Sequence, residues 1–279
     1  MSRITARFEH LKAQGRQALI PYLTAGDPHP RATVPLMHAM VAAGADLIEL
    51  GVPFSDPMAD GPVIQAANER ALKHGMNLRR MLELMEAFRA RDRQTPVILM
   101  GYLNPIEILG YRPFAQAAAK ADIDGLLTLD LPPEEASELI EALSAADIDP
   151  IFLLAPTTTE QRIKTICAAA RGFIYYVSLK GVTGSASLDI AAVERKLTEI
   201  RACAKVPIGV GFGIKDAVSA ARMAKVADAV VVGSAVVERI ASNANDPKAA
   251  EVSVAALLRG MRKAMDTRDI NIQVGEYAL

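Results

Sequence analysis

The chain has 279 residues, of which 51% are hydrophobic and 23% charged, with a formal net charge of -1. That is enough apolar material for one sizeable core, and the balanced charge offers no electrostatic footprint for nucleic acid or an anionic membrane surface. No apolar run approaches the ~20 residues of a bilayer span. The charged N-terminal stretch from Met1 to Gly15 does not read as a signal peptide, and Cys167 and Cys203 read as reduced structural thiols of a cytoplasmic protein.

In chain order, Ile4, Phe8 and Leu11 fall at i, i+4 and i+7 and predict a short amphipathic helix. Residues 18–23 read as a first strand, although Pro21 is unusual for a central strand. A turn at Gly26-Asp27-Pro28 leads to a helix over 30–43 that stops at Gly44. The second strand spans 46–51, followed by helices over 63–73 and, behind Asn77 as cap, 78–91. Strands at 96–101, 125–129, 150–154, 173–178, 207–211 and 229–233 alternate with helical segments. Those begin at Asn104-Pro105 and Pro113, then span 134–145, 159–170, 190–204, 216–224, 235–242 and 248–265. Each strand is an apolar run rather than an alternation, as expected where both faces are buried. Asp46, Asp124 and Asp228 recur at helix-to-strand joins, a weak internal repeat. The pattern predicts an α/β protein, a single (β/α)8 TIM barrel domain over 1–279 with an extra N-terminal helix and additional helices in loops. An open doubly wound sheet fits less well, because no G-x-G-x-x-G follows the first strand.

In such barrels chemistry sits at the C-terminal ends of the strands. Alternation along the second strand turns Leu47, Glu49 and Gly51 to one face and Ile48 and Leu50 to the other. Ile48 and Leu50 suit the helix layer, so Glu49 points into the barrel near its top. An internal Lys or Arg would make it an ordinary ion pair, yet no strand run contains either. The next loop carries Asp56 and Asp60, with Pro57 and Pro62 stiffening the chain around Asp60. Asp130, at the end of the fourth strand, fits loop anchoring at least as well as chemistry. Gly181-Val182-Thr183-Gly184, Gly211-Phe212-Gly213 and Gly233-Ser234 follow the last three strands, a pattern suited to binding a phosphate on backbone N–H groups. Of the four histidines only His29 falls near a rim loop, no Cys or His spacing suits a metal, and no strand Lys is placed for an imine. Acid–base work by carboxylates on a phosphorylated substrate is the chemistry that remains.

Residues Leu47 to Gly61 closely resemble the signature of the tryptophan synthase α subunit family. Further matches are Pro21 to Pro28, Asn104-Pro105, Asp130-Leu131-Pro132, Gly181 to Gly184, Gly211-Phe212-Gly213 and Gly233-Ser234, so the resemblance runs through nearly the whole chain. It implies a lyase of tryptophan biosynthesis that cleaves indole-3-glycerol phosphate to indole and glyceraldehyde 3-phosphate. It implies that Glu49 and Asp60 are catalytic and that Gly184, Gly213, Gly233 and Ser234 bind the phosphate. The indole pocket would draw on Tyr22, Met100, Leu127, Leu153, Tyr175, Thr183 and Phe212, the apolar members being equally compatible with barrel core. It also implies a β subunit as partner, two chains of each kind, with Pro53, Phe54, Asp56 and Pro57 at the interface. No cofactor or metal is expected in this chain, and pyridoxal phosphate is expected in the partner. Met58, Tyr22 and Leu179-Lys180 depart from the usual family residues without touching the acids. Alternatives are a stand-alone lyase releasing free indole, a catalytically silent partner-activating barrel and, at greater distance, a phosphosugar isomerase or epimerase.

Overall fold

A computed structural model describes residues 1–178, 189–211 and 213–267. Among these, eight parallel strands close into a barrel in sequence order: β1 (Ala18–Thr24), β2 (Ile48–Gly51), β3 (Val97–Gly101), β4 (Gly125–Thr128), β5 (Asp149–Leu154), β6 (Ile174–Val177), β7 (Ile208–Gly211) and β8 (Ala229–Val232). The described helices are α1 (Arg3–Ala13), α2 (Pro30–Ala42), α3 (Pro62–Lys73), α4 (Leu78–Arg89), α5 (Leu103–Leu109), α6 (Tyr111–Lys120), α7 (Ser137–Ala145), α8 (Glu160–Ala169), α9 (Ile190–Arg201), α10 (Ala217–Ala224), α11 (Ser234–Ser242) and α12 (Pro247–Asp266). The register joins Tyr22, Glu49, Ile98, Gly125 and Asp149 in one row. That row starts near the C-terminal end of β1 and reaches the first residue of β5, which is the strand tilt that closes a barrel.

The period-two alternation sorts the strands as expected. Ile20, Leu47, Ile98, Leu127, Ile151, Phe173 and Val231 fill the interior. Leu19, Ile48, Leu50, Leu99 and Val230 instead join the layer between sheet and helices. Helix α1 belongs to the interior cluster through Ile4, Phe8 and Leu11, and Phe8 meets Phe173 with ring centroids 5.9 Å apart. Burying each such side chain is worth ~1.5–3 kcal/mol, so the short helix is held as a plug across the N-terminal mouth.

The aspartate repeat has a shared structural task. Asp46, Asp124 and Asp228 accept the N–H of Leu19, Val97 and Ile208, each at the start of the preceding strand, at 2.9, 2.8 and 2.9 Å. Asp46 also pairs with Arg7 and Arg262, and Asp124 with Arg3 and Arg89. Pro21 is tolerated for a local reason. It is the last β1 residue paired with β8, and Tyr22 is the first paired with β2, so the residue without an N–H falls at the hand-over between ladders. The helix expected from Glu134 begins three residues later at Ser137. Pro132 and Pro133 first close turns in which their carbonyls accept the N–H groups of Glu135 and Ala136.

Candidate active site

Strand β2 delivers Glu49 to the C-terminal mouth by alternation alone, two residues beyond the interior Leu47. The side chain is 1% exposed, and its Oε1 finds no hydrogen-bond partner among the described residues. Burial, and then the charge of Asp60, push its carboxyl up to about 8. Asp60 stands just before Gly61 and Pro62, where α3 starts. Burial raises it to about 6, while hydrogen bonds from the Tyr102 hydroxyl and the Asn68 amide pull it back. Two nearby carboxyls are thereby held apart in acidity, so one carries a proton at a pH where the other is charged.

The loop that presents Asp60 is tied down from two sides. The Tyr102 hydroxyl accepts the Ala59 N–H at 2.9 Å, and its ring stacks on Phe54 with centroids 5.1 Å apart. Gln65 donates to the carbonyls of Asp60 and Pro57 at 2.9 and 3.4 Å. Tyr22, paired in register with Glu49, hydrogen-bonds Thr24 through its hydroxyl at 3.1 Å. A Cβ on Gly51 would overlap that hydroxyl, and a Cβ on Gly211 would overlap the hydroxyl of Tyr175, so glycine on the next strand makes room for each phenol. Burial pushes both phenols well above their usual range, which keeps them neutral.

The remaining expected residues divide. Leu127 is fully buried among the interior side chains, and half-buried Met100, Leu153 and Tyr175 pack against that cluster. Gly213 has a φ of +76° after β7. Gly233 precedes α11, whose N-terminus receives no side-chain cap, and a Cβ on Gly233 would stand in open space, with exposed Ser234 beside it. Thr183, Gly184 and Phe212 lie outside the described residues, as do Leu179 and Lys180. On the loop after β2, Pro53 is buried, Phe54 and Pro57 are half-buried and Asp56 is exposed. Asp130 is an anchor, its Oδ1 accepting the Leu103 N–H at 2.8 Å. His29 caps α2 by accepting the Arg31 N–H. Among the described residues no group of three or more His, Cys, Asp or Glu could hold a metal ion, and no helix is long and apolar enough to cross a membrane. Tyr102, Gln65 and Asn68 are not singled out by the sequence. The only local signal is two amides three residues apart at the start of the helix after Asp60.

A family model described as tryptophan synthase alpha chain matches residues 8–266. The tryptophan synthase alpha chain of Thioalkalivibrio sulfidiphilus is 66% identical over 266 residues, covering 95% of this chain and all of its own length. The crystal structure of tryptophan synthase subunit alpha from Legionella pneumophila str. Paris superposes with a TM-score of 0.89 at 45% identity, covering 95% of this chain and 99% of that one. A chain of the M. tuberculosis tryptophan synthase in an aminoacrylate-bound form gives 0.84 at 35% identity, covering 95% of this chain and all of that chain.

Proposed function

Because the chain belongs to the tryptophan synthase alpha chain family, we propose that Glu49 and Asp60 perform the α reaction of tryptophan biosynthesis. That reaction cleaves indole-3-glycerol phosphate to indole and glyceraldehyde 3-phosphate. The observation that carries the assignment is the pair itself: an inward Glu49 held protonated up to about pH 8, beside an Asp60 that is charged above about pH 6.

Breaking a carbon–carbon bond requires a place for the bonding electrons. Indole provides one once its ring carbon bearing the side chain is protonated, because the ring nitrogen then carries positive charge. Glu49 delivers that proton. Asp60 accepts the ring N–H bond as the charge develops, in a dry site where such stabilisation is strong. The Glu49 carboxylate then takes the proton of the adjacent glycerol hydroxyl. The carbonyl of glyceraldehyde 3-phosphate forms, the carbon–carbon bond breaks, and its electrons restore the indole ring. The proton given to carbon is matched by the proton taken from oxygen, so Glu49 ends as it began. No cofactor of this chain enters the sequence.

Gly184, Gly213, Gly233 and Ser234 hold the phosphate through backbone N–H groups. The uncapped α11 N-terminus and the open space at Gly233 support this placement. Tyr22, Met100, Leu127, Leu153, Tyr175, Thr183 and Phe212 form the indole pocket. The partner is a β subunit carrying pyridoxal phosphate, two chains of each kind, seated on Pro53, Phe54, Asp56 and Pro57. The 87% exposure of Met58 on that loop supports an apolar contact there.

The test is indole release from indole-3-glycerol phosphate by the purified chain, alone and with a β subunit. The expected result is slow release alone and faster release with the partner, which favours the catalytically competent form of the chain. No release under either condition sinks the proposal.

A further inference from the structure

Helix α3 turns two amides toward Asp60 from one face, since Gln65 and Asn68 are three residues apart. They grip different parts of it. Gln65 Nε2 donates to the backbone carbonyls of Asp60 and Pro57, whereas Asn68 Nδ2 donates to the carboxylate Oδ2 of Asp60 at 3.3 Å. Asn68 is 3% exposed and lies on the face that also buries Ala67 and Ala71. Its Oδ1 finds no partner among the described residues. An unpaired buried carbonyl oxygen costs ~1–3 kcal/mol, so an amide serving only to pack the helix is a poor choice next to two alanines. Turned the other way, the amide would set Oδ1 against the Asp60 carboxylate, acceptor against acceptor. The orientation with the donor toward Oδ2 is the one a charged Asp60 selects.

We propose that Asn68 is a positioning residue for the lyase reaction, its amide fixing the Asp60 carboxylate and favouring its charged form. The proposal rests on the reading of Asp60 as the anion that meets the ring N–H. Among the described residues the titratable groups facing Asp60 are Glu49 on β2, Tyr22 on β1 and Tyr102 after β3. None of them can supply a positive charge. Among the described residues the groups that favour the charged form of Asp60 are Tyr102 and Asn68, both neutral donors.

The experiment compares Asn68→Leu, Asn68→Asp and Gln65→Met in the full chain. The Asp60 side-chain carboxyl is titrated by carbon-13 NMR, its signal assigned by loss in D60N, and the pH profile of kcat/KM is recorded alongside. N68L should move both the titration and the acidic limb upward by about one pH unit, the size of one charge-assisted hydrogen bond. N68D, which places a second carboxyl there, should move them further. Q65M should lower kcat while leaving the Asp60 titration in place. If N68L does not fold, Asn68→Ala takes its place and the same shift is expected. Loss of rate in the Asn68 variants with an unmoved titration overturns the proposal, because packing alone would then account for it. A titration that moves while the acidic limb stays overturns the reading of Asp60 as the reacting anion, and the proposal falls with it.

Discussion

At the N-terminal end of the barrel, Asp46 and Asp124 each meet two arginines and a strand N–H. At the C-terminal end, Glu49 is as deeply buried, yet its Oε1 finds no partner among the described residues and its nearest charged influence is another acid. Burial raises Asp124 and lowers Arg89, and in each the charge of the other opposes the shift. Arg89 on one carboxylate oxygen of Asp124 and Arg3 on the other make a joint between α1, α4 and the sheet. Glu49 has no such opponent and titrates near the pH at which enzymes work. Arginine pairing thus marks Asp46 and Asp124 as carboxylates that hold the barrel together, and its absence at Glu49 fits the proton-carrying role proposed for it.

The most severe way to break this contrast is Glu49→Gln. It should cost ~10²–10⁴-fold in turnover, with substrate binding retained, in single-turnover and equilibrium binding measurements. Its stability should change in the opposite sense. A folded-state pKa raised from 4.5 to about 8 means that wild-type stability is fully present below pH 4.5 and is lost as pH rises toward 8. Gln does not ionise, so E49Q should melt progressively higher than wild type across that window. Turnover close to wild type with an unchanged pH profile would show that Glu49 is not the proton carrier.

Arg89→Leu tests the other end. It removes one of the two arginines on buried Asp124, leaving Arg3, and should cost about 1.5–3 kcal/mol of unfolding free energy in urea titrations. At 25 °C the folded fraction should keep a kcat near the wild-type value. A rate loss per folded molecule as large as that of E49Q would erase the distinction between the two ends.

The pH dependence sharpens the contrast. The dependence of kcat/KM should be a bell with limbs near 6 and 8, belonging to the Asp60 and Glu49 pair as a coupled unit. A profile flat across this range would mean that neither acid governs the rate.

The smallest effect is expected at the phosphate end of the mouth. Gly213→Val places a branched side chain at a φ of +76°, close to the proposed phosphate site. It should raise KM for indole-3-glycerol phosphate and weaken glyceraldehyde 3-phosphate binding, with less effect on indolepropanol, which lacks the phosphate. Equal losses for both ligands would place the phosphate elsewhere or indicate misfolding.

The direction of Glu49 is legible in the sequence because side chains alternate strictly along a strand, and Ile48 and Leu50 declare the outer face. The eight strands and the N-terminal helix are legible for the same reason: each rests on local periodicity. The aspartate repeat is visible as spacing, but its task is not, because Arg262 reaches Asp46 from 216 residues away. The start of α7 is misplaced by sequence pattern, since acidic residues after a proline pair fit a turn as well as a first helical turn. The surroundings of Asp60 depend on the closed barrel. Tyr102 arrives from the end of the next strand, 43 residues on from Ala59, and Asn68 meets the carboxylate from two turns into α3. Local sequence sets where a side chain points, whereas the charge it carries depends on burial and on partners that only the tertiary fold brings within reach.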